Sequence, residues 1–460
     1  MVAVVALALW AGRIVSPART LALALAVVLL FDPWAGLSAG FWLSFGAVAL
    51  IFLVGVAVRR DEPLVLQWAR IQWAITVGLA PAALFLFSQV SLVGPLANAI
   101  AIPVVSVVVT PLGLAAAVLP LDALLLLAAW LVQWLLQFLE WCASLPLALW
   151  QQPAPPWWSL VAATAGTIWL VAPRGVPWRV TGLALMTPAF AWPAATPAAG
   201  EAWMVTLDAG QGLAVLVRTA NRALLYDAGL AFGTESDGGE RIILPYLRAV
   251  GVSRLDAMVI THNDIDHSGG AGSVLQALEV DRVFSSLPAS SPLHALAPGQ
   301  PCVAGHAWQW DEVRFEMLHP ATGAQARRSN NLSCVLKVTA RSGAVLLTGD
   351  IEREAESALL QRNAGALRAD VLLVPHHGSR TSSSAEFIAA VSPRVAVVPA
   401  GYRNRFGHPA EDMVGRYAAA GVVLRRTDLE GAVMARFLEK GLEIEGERER
   451  QRRYWHSAPR

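Results

Sequence analysis

The hydrophobic and polar positions divide the chain into two halves of different character. From Ile71 to Leu121 no residue is charged, and from Ala123 to Pro173 the only charged residue is Glu140. Most of the charged side chains lie after Glu201. Long apolar stretches are typical of membrane helices, whereas short mixed patterns are typical of a water-soluble domain. The predicted parts are a polytopic α-helical membrane domain (residues 1–198), an α/β domain (199–446) and a basic tail (447–460).

The membrane half contains eight apolar segments. They cover residues 1–15, 20–35, 38–58, 71–90, 95–119, 123–145, 157–173 and 180–198. Several are shorter than the ~20 residues that a perpendicular helix needs to cross a bilayer. Four prolines predict kinks or re-entrant pieces: Pro33, Pro81, Pro103 and Pro111. The first segment has neither a basic start nor a cleavage site, so we interpret it as a span and not as a signal peptide.

Arginines mark alternate loops between these segments. They are Arg13 and Arg19, then Arg59, Arg60 and Arg70, then Arg174 and Arg179. Because positively charged loops stay in the cytoplasm, the last segment is expected to leave the membrane on the opposite face. The sequence therefore predicts a multi-pass protein of the cell inner membrane whose second half faces the periplasm or the cell exterior.

Short apolar runs bounded by turn residues predict strands in the second half. These strands are Trp203–Leu207, Leu213–Arg218, Ala223–Tyr226, Leu255–Ile260, Val313–Leu318, Cys334–Val338, Val345–Asp350 and Asp370–Pro375. Val395–Pro399 is expected to be the last strand of a second sheet, and Val422–Gly446 is expected to return to strand. Helices are predicted at Arg241–Val250, Ala271–Leu278, Arg353–Gln361 and Glu411–Ala419.

Charge and cysteine content add little to this picture. The net charge of +1 does not indicate a class of partner. The arginines of the tail favour a solvated or lipid-contacting terminus over a nucleic-acid site. Cys142, Cys302 and Cys334 have unrelated spacings, which predicts neither a disulfide framework nor a CxxC zinc motif.

Four metal-capable side chains follow the strand that ends at Ile260. They are His262, Asp264, Asp266 and His267. A strand that ends in a tight turn can direct such side chains at one point, and imidazole nitrogens with carboxylate oxygens suit two divalent cations held side by side. The alternative is a solvated polar loop. The Ser-Gly-Gly that follows favours the metal site, because it permits close backbone packing. Asp266 is also expected to act in catalysis.

Two later strand ends carry further candidate ligands. Asp350 could bridge two cations, and the alternative is that it caps the helix that begins at Arg353. His376 and His377 follow the strand Asp370–Pro375. Adjacent side chains of an extended segment point to opposite sides, so one histidine is expected to bind metal and the other either to donate to substrate or to support the ligands. We assign His376 to the metal and His377 to catalysis, although the sequence leaves this order open.

Several polar residues near these ligands are candidates for binding a phosphate-containing substrate. Ser379 offers a hydroxyl donor, and Arg403 with Arg405 resembles a phosphate clamp with His408 as proton donor. The alternative for the arginine-rich stretch is a surface turn before a helix. Asp208 and Gln211 lie in a glycine-rich turn, which is expected either to support the ligand loop from outside or to be a plain hairpin turn.

The run from His262 to His267 resembles the HxHxDH signature of the metallo-β-lactamase fold, with Asp264 in place of the second histidine. The resemblance covers roughly residues 200–440 and implies an αββα sandwich in which Asp350 bridges two cations. Where the fold usually has a third-motif histidine, Asn331 or Asn330 is the nearest polar candidate, and Asn331 is assigned to substrate binding. Cys334 could bind metal, but its apolar strand favours the core. The mixed nitrogen and oxygen ligands imply two divalent ions, Zn²⁺ or Mn²⁺.

The whole chain resembles the ComEC-type DNA-internalisation proteins of natural competence. The phrases that carry this resemblance are Asp32-Pro33, Gly40–Phe45 and Asn98–Pro103, followed by the hydrolase-like half. Family members usually carry a further N-terminal portion, so we expect this sequence to be a fragment or a short form. From the residues alone, the segments Gly40–Phe45 and Asn98–Pro103 are expected to pack against other helices, with hydrogen bonds from Ser44 and Asn98 across helices. The alternative is that these segments form the polar lining of a conduit.

The resemblance implies a protein that passes single-stranded DNA through its membrane domain while a metal-dependent nuclease domain degrades the other strand. Expected partners are single-stranded DNA, membrane lipid, a competence DNA receptor, cytoplasmic DNA-handling proteins and further copies of the chain. Two alternatives are kept. The first is a membrane-tethered metallohydrolase of another periplasmic ester, and the second is a non-catalytic channel in which the hydrolase fold only guides DNA.

Overall fold

A computed structural model describes residues 10, 16–55, 62–119, 121–172, 175–233, 236–453 and 456. The chain divides into two compact units, one formed by Met1–Ala194 with Arg248–Gly251 and the other by the remaining residues. Apart from Trp10, the first predicted span lies outside the described residues, as do Arg13, Arg59, Arg60, Arg174 and Arg460.

The first unit is helical. Its helices are α1 (Pro17–Phe31), α2 (Ala39–Gly55), α3 (Leu64–Phe87), α4 (Gly94–Pro103), α5 (Thr110–Val118), α6 (Asp122–Ala143), α7 (Trp157–Val171) and α8 (Gly182–Phe190). Strands β1 (Gln89–Ser91) and β2 (Leu149–Gln151) form an antiparallel pair. A π-helical stretch, Val104–Val109, joins α4 to α5 directly after Pro103. The backbone distortion predicted at this proline is therefore a change of helix type, because proline cannot donate the usual hydrogen bond.

Three helices of the described chain are long and apolar enough to cross a membrane. They are Val65–Phe87, Gly94–Val118 and Asp122–Ala143, and the apolar helices α1, α2 and α7 are shorter. The predicted last segment, 180–198, contains only the nine-residue helix α8. At 1.5 Å per residue this helix is about 14 Å long, against a hydrocarbon core of about 30 Å. The last segment is therefore not a complete helical span.

Small residues set the closest helix contact in this unit. A Cβ atom at Gly166 of α7 would collide with the carbonyl oxygen of Gly182 in α8, and the reverse is also true. Packing through small residues is typical of membrane helices. The more specific prediction of cross-helix bonds from Ser44 and Asn98 is wrong, because in the described part of the chain both side chains are exposed and neither forms a hydrogen bond.

The second unit is built on two large sheets. Its strands are β3 (Ala202–Thr206), β4 (Val215–Arg218), β5 (Ala223–Tyr226), β6 (Arg254–Leu255), β7 (Ala257–Ile260), β8 (Glu279–Val280), β9 (Val283–Ser285), β10 (Gln300–Pro301), β11 (Ala307–Trp310), β12 (Val313–His319), β13 (Val335–Ala340), β14 (Gly343–Leu347), β15 (Val371–Leu373), β16 (Val395–Val398), β17 (Val423–Arg426), β18 (Val433–Leu438) and β19 (Gly441–Gly446). The first sheet has the order β10-β9-β7-β5-β4-β3-β18-β19, and the second has the order β11-β12-β13-β14-β15-β16-β17. β6 and β8 form a small separate pair.

The two sheets share one hydrophobic core. Buried side chains from both sheets meet in it, among them Tyr226 and Val259 from the first and Phe315 and Leu347 from the second. The central strands supply alternate residues to this layer, because successive side chains of a strand point to opposite faces of the sheet. This architecture confirms the predicted αββα sandwich.

Helices connect the strands and cover the second sheet. They are α9 (Leu244–Ala249), α10 (Ile265–Ser268), α11 (Ala271–Ala277), α12 (Arg353–Asn363), α13 (Ala385–Val391), α14 (Glu411–Ala419), α15 (Thr427–Glu430) and α16 (Glu447–Arg450). A second core joins the outer face of that sheet to α12, α13 and α14 through buried Leu359, Phe387 and Met413. The predicted helix Glu411–Ala419 has the predicted bounds.

The end of the second unit differs from the prediction in two ways. Val395–Pro399 is not the last strand of the second sheet, because β17 pairs with β16 in parallel at the edge. The next hairpin, β18–β19, returns to the first sheet. In addition, part of the basic tail packs on this unit: Arg448 of α16 pairs with Asp208 at 3.3 Å and donates to the carbonyl oxygen of Asp428.

A disulfide joins the two sheets, contrary to the prediction from cysteine spacing. Cys302 follows β10 of the first sheet and Cys334 precedes β13 of the second, and their sulfur atoms are bonded. Cys142 is a free, buried thiol. A sequence separation of 32 residues carries no motif, so only the fold brings the two cysteines together. Cys334 is therefore excluded as a metal ligand.

Removal of this cross-link is expected to destabilise the second unit. Closing a loop of 32 residues constrains the unfolded chain, and the chain-entropy relation gives a contribution of about 3–4 kcal/mol to the free energy of unfolding. We expect Cys302→Ala/Cys334→Ala, or reduction of the wild type, to lower the denaturant midpoint accordingly. Cys142→Ala is the control and should leave the effect of the reductant unchanged. Alkylation of two thiols or more in the unreduced, denatured protein would contradict the disulfide.

Candidate metal centre

The candidate ligands lie where parallel strands of both sheets end. In the first sheet, β7 ends at Ile260 and is followed by His262 and His267. In the second, β14 ends before Asp350, and β15 ends before His377. Carboxyl ends of parallel strands meet at one edge of a sheet, which is where ligand sites of α/β folds form. Side chains separated by more than 100 residues therefore converge.

Four of these side chains form a compact group of potential ligands. One ligand atom from each of Asp266, His267, Asp350 and His377 lies within 4.8 Å of the other three. The Nε2 atoms of His267 and His377 are 3.2 Å apart, and His267 Nε2 is 3.1 Å from Asp350 Oδ1. His377 Nε2 lies 3.5 Å from Asp266 Oδ2. These distances are those of groups that surround a common point.

The far side of each histidine ring is held in place. His377 Nδ1 donates to the carbonyl oxygen of Pro399 at 2.7 Å, and His267 Nδ1 donates to Asp227 Oδ2 at 2.7 Å. When Nδ1 is the donor, Nε2 keeps its lone pair and is free to bind a metal. For His262, Nδ1 lies 2.9 Å from Thr261 Oγ1. All three rings thus direct Nε2 to the same region.

Asp227 is the main positioning residue that the sequence reasoning missed. It is fully buried and follows β5, and its backbone has a positive φ of 59°. Its carboxylate accepts from the backbone N–H of Thr261 at 2.7 Å and from the Thr261 hydroxyl, in addition to His267. Asp227 therefore fixes both the ligand loop and one ligand ring. The Asp-Ala-Gly turn directly after a buried strand was the available signal.

The group concentrates negative charge in a space from which water is excluded. Burial alone would raise the pKa of Asp350, but the positive charges of His267 and His377 hold that pKa well below its usual value. Burial opposes charge on His267, yet Asp350 and Asp227 raise the pKa of its imidazole well above the ordinary value. The raised pKa of His267 favours its charged form beside these carboxylates, and a divalent cation would supply positive charge at the same place.

Two buried atoms of the centre form no well-aligned hydrogen bond in the described part of the chain. They are His262 Nε2 and Asp350 Oδ1, although His267 Nε2 lies 3.1 Å from the second of them. A buried polar atom without a partner is costly unless something binds it. Because both atoms are metal-binding types and border the compact group, the residues present fit divalent metal binding.

A second set of groups adjoins the first and shares Asp350. His262 Nε2 lies 3.7 Å from Asp264 Oδ2, and the rings of His262 and His267 are 4.3 Å apart. His376 Nε2 lies 3.8 Å from Asp350 Oδ2. With Asp350 between the two sets, the geometry is suited to a bridging carboxylate. Asp350 does not cap the following helix, whose first turn is preceded by Glu352.

The structure places the two adjacent histidines in the reverse of the assigned order. His377, assigned to catalysis, lies in the compact group, whereas His376, assigned to the metal, lies beside it with Nδ1 3.1 Å from Thr381 Oγ1. The segment is not extended: both residues have positive φ angles, 52° and 54°. The expectation that their side chains point to opposite sides of a strand therefore does not apply.

Two predicted substrate-binding side chains form hydrogen bonds within the protein. Asn331 is buried, with Oδ1 accepting from the backbone N–H of Glu352 and Nδ2 donating to Glu354. Ser379 is 7% exposed, and its hydroxyl bonds to Thr381 within its own loop. Both residues therefore hold loops together. Asn330 is the amide that borders the centre, with Nδ2 3.4 Å from His376 Nε2.

The arginine-rich loop lies next to the centre. Arg403 and Arg405 are exposed, and neither forms an ion pair with the described residues. The ring of His408 is 6.2 Å from that of His376. Burial and the charges of His377 and His376 lower the pKa of His408, so its imidazole is neutral near pH 7.

The glycine-rich turn supports this loop and not the ligands themselves. Gln211 Oε1 accepts from the backbone N–H of Gly401 at 3.1 Å, which anchors the arginine-rich loop. Asp208 instead forms its ion pair with Arg448. Of the two predicted supporting residues, Gln211 therefore acts on the edge of the centre, and Asp208 holds the C-terminal helix α16.

Two protein families match separate parts of the chain. Residues 1–177 match the Competence protein family, and residues 207–402 match the Metallo-beta-lactamase superfamily. Competence protein ComA of Neisseria gonorrhoeae is 39% identical over 443 residues, which are 95% of this chain and 61% of that protein. ComE operon protein 3 of Bacillus subtilis is 27% identical over 457 residues, or 92% of this chain and 58% of that protein.

Among solved structures, the metallo-beta-lactamase fold protein YhfI from Bacillus subtilis is similar to part of this chain. It is 14% identical, covers 49% of this chain and 96% of its own, and has a TM-score of 0.34. The chain spans 57–61% of the length of the four curated relatives that it matches.

We expect Asp227→Asn to weaken divalent metal binding by about 10- to 100-fold, the usual loss for a residue that orients a ligand. Asparagine keeps the backbone conformation but removes the charge that holds His267. The measurement is titration of the metal-free protein with Mn²⁺ or Zn²⁺ by calorimetry. Asp256→Asn is the matched control, because Asp256 is also buried and bonded but precedes β7, at the opposite end of that strand. Equal losses in the two variants would contradict the positioning role.

The two adjacent histidines are expected to differ in metal binding. His377→Ala removes a member of the compact group, so its affinity loss should exceed the ~10–100-fold typical of a supporting contact. His376→Ala should cause a smaller loss. Calorimetric dissociation constants and bound-metal content would separate the two cases. A larger loss for His376→Ala would restore the order assigned from the sequence.

Proposed function

The chain carries a competence-protein domain followed by a metallo-β-lactamase domain, and we propose that it acts in DNA uptake during natural transformation. In this proposal the membrane domain passes single-stranded DNA across the inner membrane. The second unit is a metal-dependent phosphodiesterase that degrades the strand that is not transported. The names of the curated relatives support the competence role. The expected partners remain those named from the sequence, including lipid, a DNA receptor, DNA-handling proteins and further copies of the chain.

The observation that carries the enzymatic part is the compact group of Asp266, His267, Asp350 and His377. Its ligand atoms point to one place, and two buried atoms at that place form no well-aligned hydrogen bond within the described residues. When bound there, divalent cations supply Lewis acidity toward a phosphoryl oxygen and charge stabilisation in the transition state. Zn²⁺ and Mn²⁺ both suit the nitrogen and oxygen ligands.

The chain's own residues supply orientation and proton handling. Asp350 stands between the two ligand sets, while Asp266 is 28% exposed and so meets the substrate side. Arg403 and Arg405 offer charged donors to the phosphates that flank the scissile bond. His408 was expected to be a proton donor, but its lowered pKa favours the neutral imidazole, so we assign its N–H to a hydrogen bond with the leaving oxygen.

The disulfide supports an extracytoplasmic position for the second unit. Disulfides persist in oxidising compartments and are rare in the cytosol. Cys302 and Cys334 are both buried and bonded to each other. This argument does not depend on the number of spans, whereas the prediction from the arginine loops requires the last segment, 180–198, to cross the membrane.

Two other functions are compatible with the fold. A membrane-tethered hydrolase of another periplasmic ester would use the same metal centre, but the exposed arginines beside it favour a polyanion. A non-catalytic channel would not need ligand rings that are fixed from behind by Asp227 and Pro399. The preorganised ligands therefore favour an enzyme over a guide for DNA.

We expect the purified full-length chain, in detergent, to hydrolyse single-stranded DNA when Mn²⁺ or Zn²⁺ is present and to stop when the metal is chelated. Asp350→Asn should lower the rate by at least about a thousandfold, or ~4 kcal/mol, because it removes the bridging charge. Release of labelled nucleotides is the measurement. Asp370→Asn is the control, since Asp370 bonds the backbone of Ala344 at the opposite strand end. Inertness of the wild type toward single-stranded DNA with every divalent metal would contradict the nuclease and leave the hydrolase of another ester and the channel.

A further inference from the structure

We propose that Tyr402 and Phe406 form a base-stacking shelf that holds a single DNA strand beside the metal centre. The inference rests on the proposed function, because it takes the substrate to be DNA. It adds a surface for the bases to a site otherwise described only by its ligands and arginines. The shelf is defined as the loop Gly401–Pro409 with these two rings.

Two exposed aromatic side chains of the second unit lie in the loop beside the metal centre. In the described part of that unit six large hydrophobic side chains are exposed: Phe232, Ile265, Leu296, Tyr402, Phe406 and Val423. Tyr402 and Phe406 are 55% and 56% exposed and belong to one loop. Ile265 lies within the ligand run itself. Exposed aromatic rings are unfavourable in water, so their clustering at one site indicates a surface that is covered by a ligand.

The rings form a continuous path from the metal centre to solvent. The ring of His376 beside Asp350 is 6.2 Å from the ring of His408. His408 in turn stacks on Phe406, with 5.8 Å between the ring centres and 20° between the planes. A strand whose phosphodiester lies at the centre can therefore reach the Phe406 ring, which is two ring contacts away from His376.

The shelf carries positive charge without competing acids. Arg403 lies over the Tyr402 ring at 5.2 Å, and Arg405 lies over the Phe406 ring at 4.8 Å. Residues 401–410 contain no acidic side chain. Aromatic rings interleaved with basic groups are the combination by which proteins bind single strands: bases stack on the rings while cations track the backbone.

The loop is preorganised, as a binding surface should be. The Asn404 side chain donates to the carbonyl oxygens of Gly401 and His408 and accepts from the backbone N–H of His408. Gln211 anchors the start of the loop from another strand connection. Stacking also favours single-stranded over double-stranded DNA, because bases inside a duplex are already stacked on one another and cannot reach the rings.

The test compares strands with and without bases. The full-length chain in detergent, with metal chelated to prevent cleavage, is titrated with labelled oligothymidylate of about 12 nucleotides, within the ~4–16 nucleotides typical of single-strand sites. A phosphodiester strand of equal length and charge that lacks bases is the second probe. Tyr402→Ala/Phe406→Ala should weaken oligothymidylate binding by at least about tenfold, since stacking contributes ~1–3 kcal/mol per base. The affinity of this double variant for the abasic strand should equal that of the wild type.

Matched variants sharpen the result. Tyr402→Phe/Phe406→Tyr keeps both rings and should bind as the wild type does. Val423→Ala removes an equally exposed side chain, 57% exposed, at the edge strand β17, and should bind both strands normally. Arg403→Gln/Arg405→Gln should instead weaken the binding of both strands. It should also reduce the slope of log affinity against log salt by about 1.4, at ~0.7 for each phosphate contact.

Wild-type affinity for oligothymidylate in Tyr402→Ala/Phe406→Ala would overturn the shelf, as would an equal loss for the abasic strand. If that variant also sediments as a smaller assembly, the rings belong to a contact between copies of the chain. Cleavage by the wild type with Mn²⁺ is measured in parallel. Cleavage together with unchanged binding in the variant refutes the shelf alone. No cleavage together with base-dependent binding refutes the nuclease and keeps the shelf.

Discussion

The second unit is organised by the requirement to balance buried negative charge at one point between two sheets. Asp227, Asp266 and Asp350 surround His267 and His377, and four of these five residues are almost inaccessible to water. Charges removed from water are tolerated only when they are paired or bind metal. The histidines supply that balance without metal, and cations supply it when bound. The sandwich positions these groups because parallel strands of both sheets end at the same place.

Backbone conformations of higher energy also collect at this place. Four residues here have positive φ angles between 51° and 59°, which residues with a Cβ atom rarely adopt: Asp227, His376, His377 and Arg403. Each such residue costs on the order of 1–3 kcal/mol and persists only where its surroundings fix it. Here the fixing contacts are visible, since Asp227 is bonded to Thr261 and His377 to Pro399. The tight turns let ligands from short loops reach a common point.

The sequence was most informative where the ligands are close together in the chain. The run His262–His267 and Asp350 could be recognised because residue type and strand ends suffice to identify them. For Asp227 the turn after β5 was the one available signal, and for Pro399 there was none, because these residues act on histidines 40 and 22 residues away. The roles of His376 and His377 depend on a left-handed turn that their residue types do not predict. Likewise, the partner of Cys334 follows only from the packing of one sheet on the other.

The geometry of the metal centre depends on the contacts between the two sheets. Asp227 and the ligand run belong to the first sheet, whereas Asp350 and His377 belong to the second, so a shift between the sheets would separate the ligands. At this point Cys334 is bonded to Cys302 and its carbonyl oxygen accepts from the buried Tyr226 hydroxyl. Gly349 adds a close approach, because a Cβ there would lie 3.0 Å from Ser333 and 3.1 Å from Thr261. Metal ligands tolerate errors of only a few tenths of an ångström. The two sheets must therefore be held in a fixed relative position. Only then can the surrounding loops vary in sequence without separating the ligands.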